Sequence, residues 1–479
     1  MLFDSFTFLV FFAIFFVIYF SVRGTLRHIV LFVASCVFYM WFIPKYVLIL
    51  FLAIGIDFYA AIRIEDAATA RGRKRWLLIG IVNTCALLFI FKYYNFFITN
   101  LNGIGGLHIP YWNIILPLGL SFHTFQSLSY VIDVYRKKVR TERNLLVYAN
   151  YVMMFPQIVA GPIERAGQLI PQLRSLAENP VNQSDFAIGM TRFSYGLFKK
   201  MVVADNIGPY VTAVYNNYTH HTGATLLVAS MFFSVQLYAD FSGYSDMAIG
   251  IARALGFRFN ENFETPYFAR TIAEFWRRWH ISLSSWLRDY LYYPLVFSFG
   301  SLSKFAMYAS TIITFAVIGL WHGANWTFVI FGTLQGIYMI AGTVTEKMRA
   351  KFVDLIRLSK LPRVHHAIQM AIVFLLFTFS LIFFRASSIS QAWAIIMKIA
   401  SGISIGAVNV LDTNGFTIMC VAALILFASE FFVFRKYSFD RIHDGRRGGL
   451  ASSVIAITSV ALVLSLGFWG GASFIYFQF

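Results

Sequence analysis

Phe305-Ala-Met-Tyr-Ala-Ser-Thr-Ile-Ile-Thr-Phe-Ala-Val-Ile-Gly-Leu320 and Thr327-Phe-Val-Ile-Phe-Gly-Thr-Leu-Gln-Gly-Ile-Tyr-Met-Ile-Ala-Gly-Thr-Val344 are apolar runs without a charged residue. Trp321-His322-Gly-Ala-Asn325-Trp326 joins them. A membrane helix needs roughly 20 predominantly apolar residues, so the two runs read as successive spans. Working outward, the same pattern recurs at 6–22, 47–62, 76–98, 224–251, 367–384, 416–434 and 453–469. Shorter or polar-interrupted stretches at 29–43, 114–134, 145–163 and 186–206 are expected to dip into the membrane or pack obliquely inside protein. The segment 6–22 has neither a basic n-region nor a small-residue cleavage site, and reads as a first span.

Composition agrees. Of 479 residues, 58% are hydrophobic, 18% aromatic and 13% charged, with a mean hydropathy of +0.67. Soluble domains spend about a quarter of their residues on charge. A cytosolic enzyme, a disordered chain and a secreted disulfide scaffold are therefore excluded. The expected fold is all-α and polytopic, about 10–12 transmembrane helices with re-entrant and interfacial amphipathic helices, in one integral-membrane domain over 1–479.

The net charge is +17. The basic residues sit between apolar runs and not on one soluble face, which argues against nucleic acid. Thirty-two of the 39 cluster at 23/27, 63–75, 136–143, 192–200, 253–288, 347–363 and 435–447. The positive-inside rule puts these clusters on one side of the bilayer. Both termini, including the tail 473–479, then fall outside. Cys36, Cys85 and Cys420 lie in apolar segments and read as small hydrophobes. His220-His221 and His365-His366 lack the companions of a metal site, and no metal is expected.

Ionisable groups at membrane depth are costly and mark function by default. His322 is the sharpest. A neutral imidazole there can take a proton from a hydroxyl attacking an acyl group, or can simply hydrogen-bond across helices. Gly319 and Gly323 allow close approach. In the block 275–290, Trp276, Trp279, Leu283, Trp286, Leu287 and Tyr290 share one helical face, with Arg277, Arg278, Ser285 and Arg288 opposite. That is the pattern of a helix lying at the membrane surface. His280 falls on the aromatic face and points inward, more as a core histidine than as a chemical group. Asp240 and Asp246, in Asp240-Phe-Ser-Gly-Tyr-Ser-Asp246, suggest a broken helix lining a cavity. Their i,i+6 spacing favours bracing over an acid/base pair. The 160–165 segment reads as a turn, and His123 as an interhelical hydrogen bond. The tail Phe474-Ile-Tyr476-Phe-Gln-Phe479 reads as an aromatic interface anchor.

Together these blocks resemble one family. Leu116-Pro-Leu-Gly-Leu-Ser-Phe-His-Thr-Phe-Gln-Ser-Leu-Ser-Tyr-Val-Ile-Asp133, Phe155-Pro-Gln-Ile-Val-Ala-Gly-Pro162, Asp240–Asp246, the 275–290 block and Gly319-Leu-Trp-His322-Gly are similar to the signature of bacterial membrane-bound O-acyltransferases. The likeness is to the alginate O-acetylation subgroup, with the teichoic-acid D-alanyl transfer protein as a relative. It covers a core from 116 to 326 and the tail 473–479.

The resemblance implies a central tunnel through the membrane, with His322 as its central histidine and His280 as a second catalytic histidine on the cytoplasmic side. Asp240, Asp246 and Asn325 are assigned to the supporting wall of that tunnel. The tail resembles an F-x-Y-x-x-F ending in which Tyr476 receives the acyl group. The implied activity is O-acetylation of an extracytoplasmic polysaccharide such as alginate, from the bacterial inner membrane. The donor is acetyl-CoA or another acyl thioester, with no permanently bound cofactor. The basic 253–288 face would hold its phosphates, and an extracytoplasmic SGNH-type acyltransferase is the implied partner. Three other readings stand beside this one. A secondary transporter with a buried His/Asp proton path predicts inverted repeats, and none is seen. D-alanyl transfer to teichoic acid uses the same likeness, and a purely structural scaffold would tolerate changes at His322 and Tyr476.

Overall fold

The computed structural model describes residues 1–117, 119–177, 182–300, 302–402, 408–410, 412–444, 448–470 and 474–475. These residues form helices and connections, with no β-strand among them. Eight of the helices are long and apolar enough to cross a membrane: Tyr46–Asp66, Ala70–Ile104, Gly223–Ala254, Lys304–His322, Trp326–Val344, Pro362–Arg385, Thr413–Phe434 and Gly448–Leu466. Phe6–Ser21 and Thr25–Met40 are shorter apolar helices. A further continuous helix runs over 183–216, π-helical at Phe198–Ala204. Its charged residues keep it out of any hydropathy-based set, although at 1.5 Å per residue it is about 50 Å long.

The helices sort into two compact units interleaved along the chain, Met1–Phe193 with Tyr244–Asn260 and Ser194–Gly243 with Glu261–Phe479. In the first unit, the phenylalanine-rich start of the chain packs as a ring cluster. Phe8, Phe11, Phe15 and Phe38 surround Phe155 at centroid separations of 5.2–6.4 Å, within the range of favourable aromatic pairs. Asp57, inside a spanning helix, is clamped by Asn83 Nδ2 at 3.0 Å and by the Thr84 hydroxyl at 3.2 Å. A carboxylate at that depth persists because the neighbouring helix supplies its donors. The expected 160–165 turn is present, and its buried Glu164 accepts from the Asn260 backbone at 2.7 Å and side chain at 2.8 Å. Burial pushes the Glu164 carboxyl up to about 8 against the opposing pull of those Asn260 donors. His123 differs from expectation. Its Nε2 meets the Ser127 hydroxyl at 3.2 Å one turn along the same helix, so the bond is intrahelical.

In the second unit, the Lys304–His322 and Trp326–Val344 helices pack backbone against backbone. A Cβ on Gly319 would strike the Phe328 carbonyl, and one on Gly332 the Phe315 carbonyl. Small residues permit such close approach where no water drives association. Gly319→Ala is therefore expected to destabilise the protein by about 1–3 kcal/mol, the usual cost of overpacking. A lower unfolding midpoint in detergent would show it. Gly342→Ala, on the same hairpin with open space around it, should cause no such drop.

Two sequence expectations change here. The Gly223–Ala254 helix is continuous through Asp240 and Asp246, not broken. Six residues at 100° each turn these carboxylates about 120° apart around the helix, and each belongs to a different unit. The surface helix over 275–290 is instead interrupted. It forms Ile272–Arg278 and Ile281–Leu287, with His280 between them in the left-handed region at φ 44°. Of the aromatic face, Trp276, Trp279, Leu283, Trp286 and Leu287 are buried and Tyr290 half-buried; opposite them Arg277 and Arg288 are exposed, while Arg278 and Ser285 are half-buried.

Candidate functional site

Both candidate histidines lie in the second unit. His322 ends the Lys304–His322 helix, where the Gly319 approach holds it against the partner helix. It is 7% exposed and boxed by the rings of Trp321 at 4.9 Å, Phe384 at 5.4 Å and Phe331 at 6.1 Å. Asn325 starts the next helix as its N-cap, accepting the Thr327 N–H at 3.1 Å. It therefore fixes the turn that carries His322.

His280 is fully buried and held by one residue that sequence reasoning missed. Asn262 Oδ1 lies 3.0 Å from His280 Nδ1 and also accepts the Ser282 hydroxyl at 2.8 Å. The Asn262 backbone carbonyl takes the Ile281 N–H at 2.9 Å. These three bonds hold the left-handed turn, a conformation that costs a non-glycine residue about 1–3 kcal/mol. Because Oδ1 acts as acceptor, the His280 proton sits on Nδ1, leaving the Nε2 lone pair as the basic site. Burial first, and the neighbouring His322 second, hold this imidazole well below its usual value. It stays neutral through the physiological range. Phe241 meets it edge-on at 4.7 Å, and Trp321 lies 6.3 Å away.

Asp240 sits in the same unit at the middle of its helix. Its Oδ1 is 3.0 Å from Lys200 Nζ, which also pairs with Asp205 at 2.5 Å. Beside this cluster, Lys199 Nζ lies 3.7 Å from Glu430 and over the rings of Tyr195 and Tyr238. The π-helical stretch lets two consecutive lysines both face inward, as such bulges do at functional sites. Asp246 belongs to the first unit, where Arg192 Nη2 binds its Oδ1 at 2.9 Å. It is an internal ion pair there. Arg192, Lys199 and Lys200 are thus buried partners of carboxylates.

Tyr476 lies outside the described residues. The two residues before it, Phe474 and Ile475, are buried in the second unit, and the Phe474 ring is 6.2 Å from that of Phe241. On the surface of this unit, a polar hollow of about 630 Å³ is lined by Arg270, Arg277, Arg278, His365 and His366 together with Glu264 and Glu274. Arg277 also lines an apolar cavity of about 390 Å³ walled by Trp276, Ile281, Leu287, Phe315 and Ile318. Arg253, expected on the same basic face, is paired with Asp185 in the first unit at 2.8 Å.

Residues 80–389 match the MBOAT, membrane-bound O-acyltransferase, family. The chain is similar to a probable alginate O-acetylase of Pseudomonas aeruginosa, 38% identical over 399 residues that cover 82% of this chain and 74% of that one. It is 34% identical over 391 residues to a peptidoglycan O-acetyltransferase of Helicobacter pylori, covering 76% of this chain and 71% of that one. A teichoic acid D-alanyltransferase of Bacillus subtilis is more distant, at 27% over 250 residues, 51% of this chain and 63% of that one.

Proposed function

The chain belongs to the membrane-bound O-acyltransferase family, and from that premise we propose that it moves an acetyl group from a cytoplasmic thioester to a hydroxyl acceptor for O-acetylation of an extracytoplasmic polysaccharide. The observation that carries this reading is the presence of two buried histidines on either side of Trp321, one of them held through Nδ1 by Asn262, in the unit that also buries the chain just before Tyr476. The P. aeruginosa and H. pylori relatives, named for alginate and peptidoglycan O-acetylation, support a polysaccharide as the final acceptor.

In the proposed step the Tyr476 hydroxyl attacks the thioester carbonyl, and its proton passes to His322. The C–S bond breaks, an aryl ester forms, and the proton leaves with the thiolate as free thiol. His280, held through Nδ1 by Asn262, assists proton movement beside His322. Acetyl-CoA fits the donor chemistry: the arginines and histidines of the polar hollow suit its phosphates, and the adjoining apolar cavity suits its arm. An SGNH-type partner outside the membrane would then take the group from Tyr476 to the polymer. The reading places the protein in a bacterial inner membrane with both termini outside, supported by the basic clusters that remain once the buried cations are set aside.

The test is incubation of the purified protein in lipid nanodiscs with acetyl-labelled acetyl-CoA, followed by mass spectrometry of the C-terminal peptide. Release of free CoA with label on Tyr476 is expected, and Tyr476→Phe should abolish that label while the protein stays folded. Label on the peptide in the phenylalanine variant would remove Tyr476 as acceptor.

A further inference from the structure

Asp240 stands 17 residues after Gly223 and 14 before Ala254 in one unbroken helix, about 25 and 21 Å from its two ends at 1.5 Å per residue. A carboxylate at the midpoint of a membrane-length helix is held there for a reason. One oxygen is fixed by Lys200. The other, Oδ2, accepts the backbone N–H of Ile475 at 2.7 Å. Phe474 and Ile475 are 0% and 4% exposed. The chain leading to them is tied to the same neighbourhood. The Phe468 N–H donates to the Met201 carbonyl at 2.9 Å, and Asn206 Nδ2 donates to the Leu466 carbonyl at 2.9 Å. The end of the last helix and residues 474–475 therefore pack against the lysine-bearing π-helical stretch and its neighbour Asp240.

We propose that Asp240 is a positioning residue that latches the C-terminal segment: its carboxylate, paired with Lys200 and oriented by it, grips the Ile475 N–H and so fixes the register of the chain immediately before Tyr476. Its catalytic consequence rests on the reading of Tyr476 as acyl acceptor; the latch itself does not. The lysine pairing aims the carboxylate, and a charge-assisted hydrogen bond is about twice as strong as one between neutral groups. Sequence specificity is not needed at position 475 for this bond, because the donor is backbone. Proline is the one residue that cannot supply it.

Hydrogen–deuterium exchange of the C-terminal peptide, on the full-length protein in nanodiscs, tests the latch separately from acylation. Ile475→Pro removes the donor and leaves the buried ions untouched. It is expected to speed exchange of the tail peptide about tenfold or more, the size expected for losing one hydrogen bond to a charged group. The rest of the protein should exchange as before. Ile475→Val, which keeps the N–H, should exchange close to the parent. Asp240→Leu should release the tail as well, and if that variant does not fold, Ile475→Pro decides alone. Tail exchange unchanged in Ile475→Pro overturns the latch. A tail released in Ile475→Pro with acyl label on it undiminished keeps the latch and defeats the need for a fixed register. Label persisting in Tyr476→Phe with the tail still protected defeats the acceptor and leaves the latch standing.

Discussion

His322→Ala is expected to lower acyl transfer by roughly 10²–10⁴-fold, the contribution of a positioned general base, while the protein still inserts and folds. The histidine's surroundings are the rings of Trp321, Phe331 and Phe384, which will close partly over an alanine. The hairpin carrying it is held by the Gly319 and Gly332 contacts, one turn and more away. His322→Gln separates chemistry from packing, since it keeps polar reach without a titrating nitrogen. Both variants should lose label transfer from the thioester and keep an unfolding midpoint within a few degrees of the parent. Transfer retained in both would take His322 out of the mechanism and favour the hydrogen-bonding role that its position also allows.

How far this site was legible depends on what each residue answers to. His322 stood out because its flanks carry no charge, and any ionisable group between two spans must be explained by function or by a partner. The inward aim of His280 followed from 100° steps along a helix. Its left-handed backbone did not, because a histidine at positive φ has no periodic signature. Asn262, which holds it, lies 18 residues earlier, beyond any local pattern. The buried cations were misread for the converse reason. Arg192, Lys199 and Lys200 look like a basic cluster until Asp246, Glu430 and Asp240 are brought to them from other parts of the chain, with Asp205 from the next turn of the same helix. A hydropathy window sees each charge and cannot see its neutralising partner, so the 183–216 helix was read only as a polar-interrupted stretch ending at 206. Asp240 and Asp246 were seen as a pair because they are close in sequence. The unbroken helix turns them toward different partners.

The second large effect concerns His280. His280→Ala is expected to reduce transfer by about 10²-fold or more, but a buried ring against Phe241 and Trp321 also packs, so loss alone does not assign its role. Asn262→Asp does. The present amide leaves the imidazole neutral, and burial with the nearby His322 keeps its pKa well below the usual histidine value. The acid limb of kcat/KM in the parent enzyme is therefore not set by His280 at or above pH 6.5. A carboxylate in place of the amide, 3.0 Å from Nδ1, favours the imidazolium and raises the pKa. A raised pKa means that the basic form is lost earlier as pH falls. The acid limb of Asn262→Asp should accordingly move upward, with activity falling more on the acid side of the profile than on the alkaline side. Asn262→Gln, uncharged but longer, would lower activity at every pH without moving the limb. If Asn262→Asp keeps the parental profile, His280 carries no proton in the rate-limiting step and serves only to wall the site. If the limb moves, the left-handed turn and its asparagine exist to keep one imidazole neutral, and Nε2 of His280 shares the proton traffic with His322.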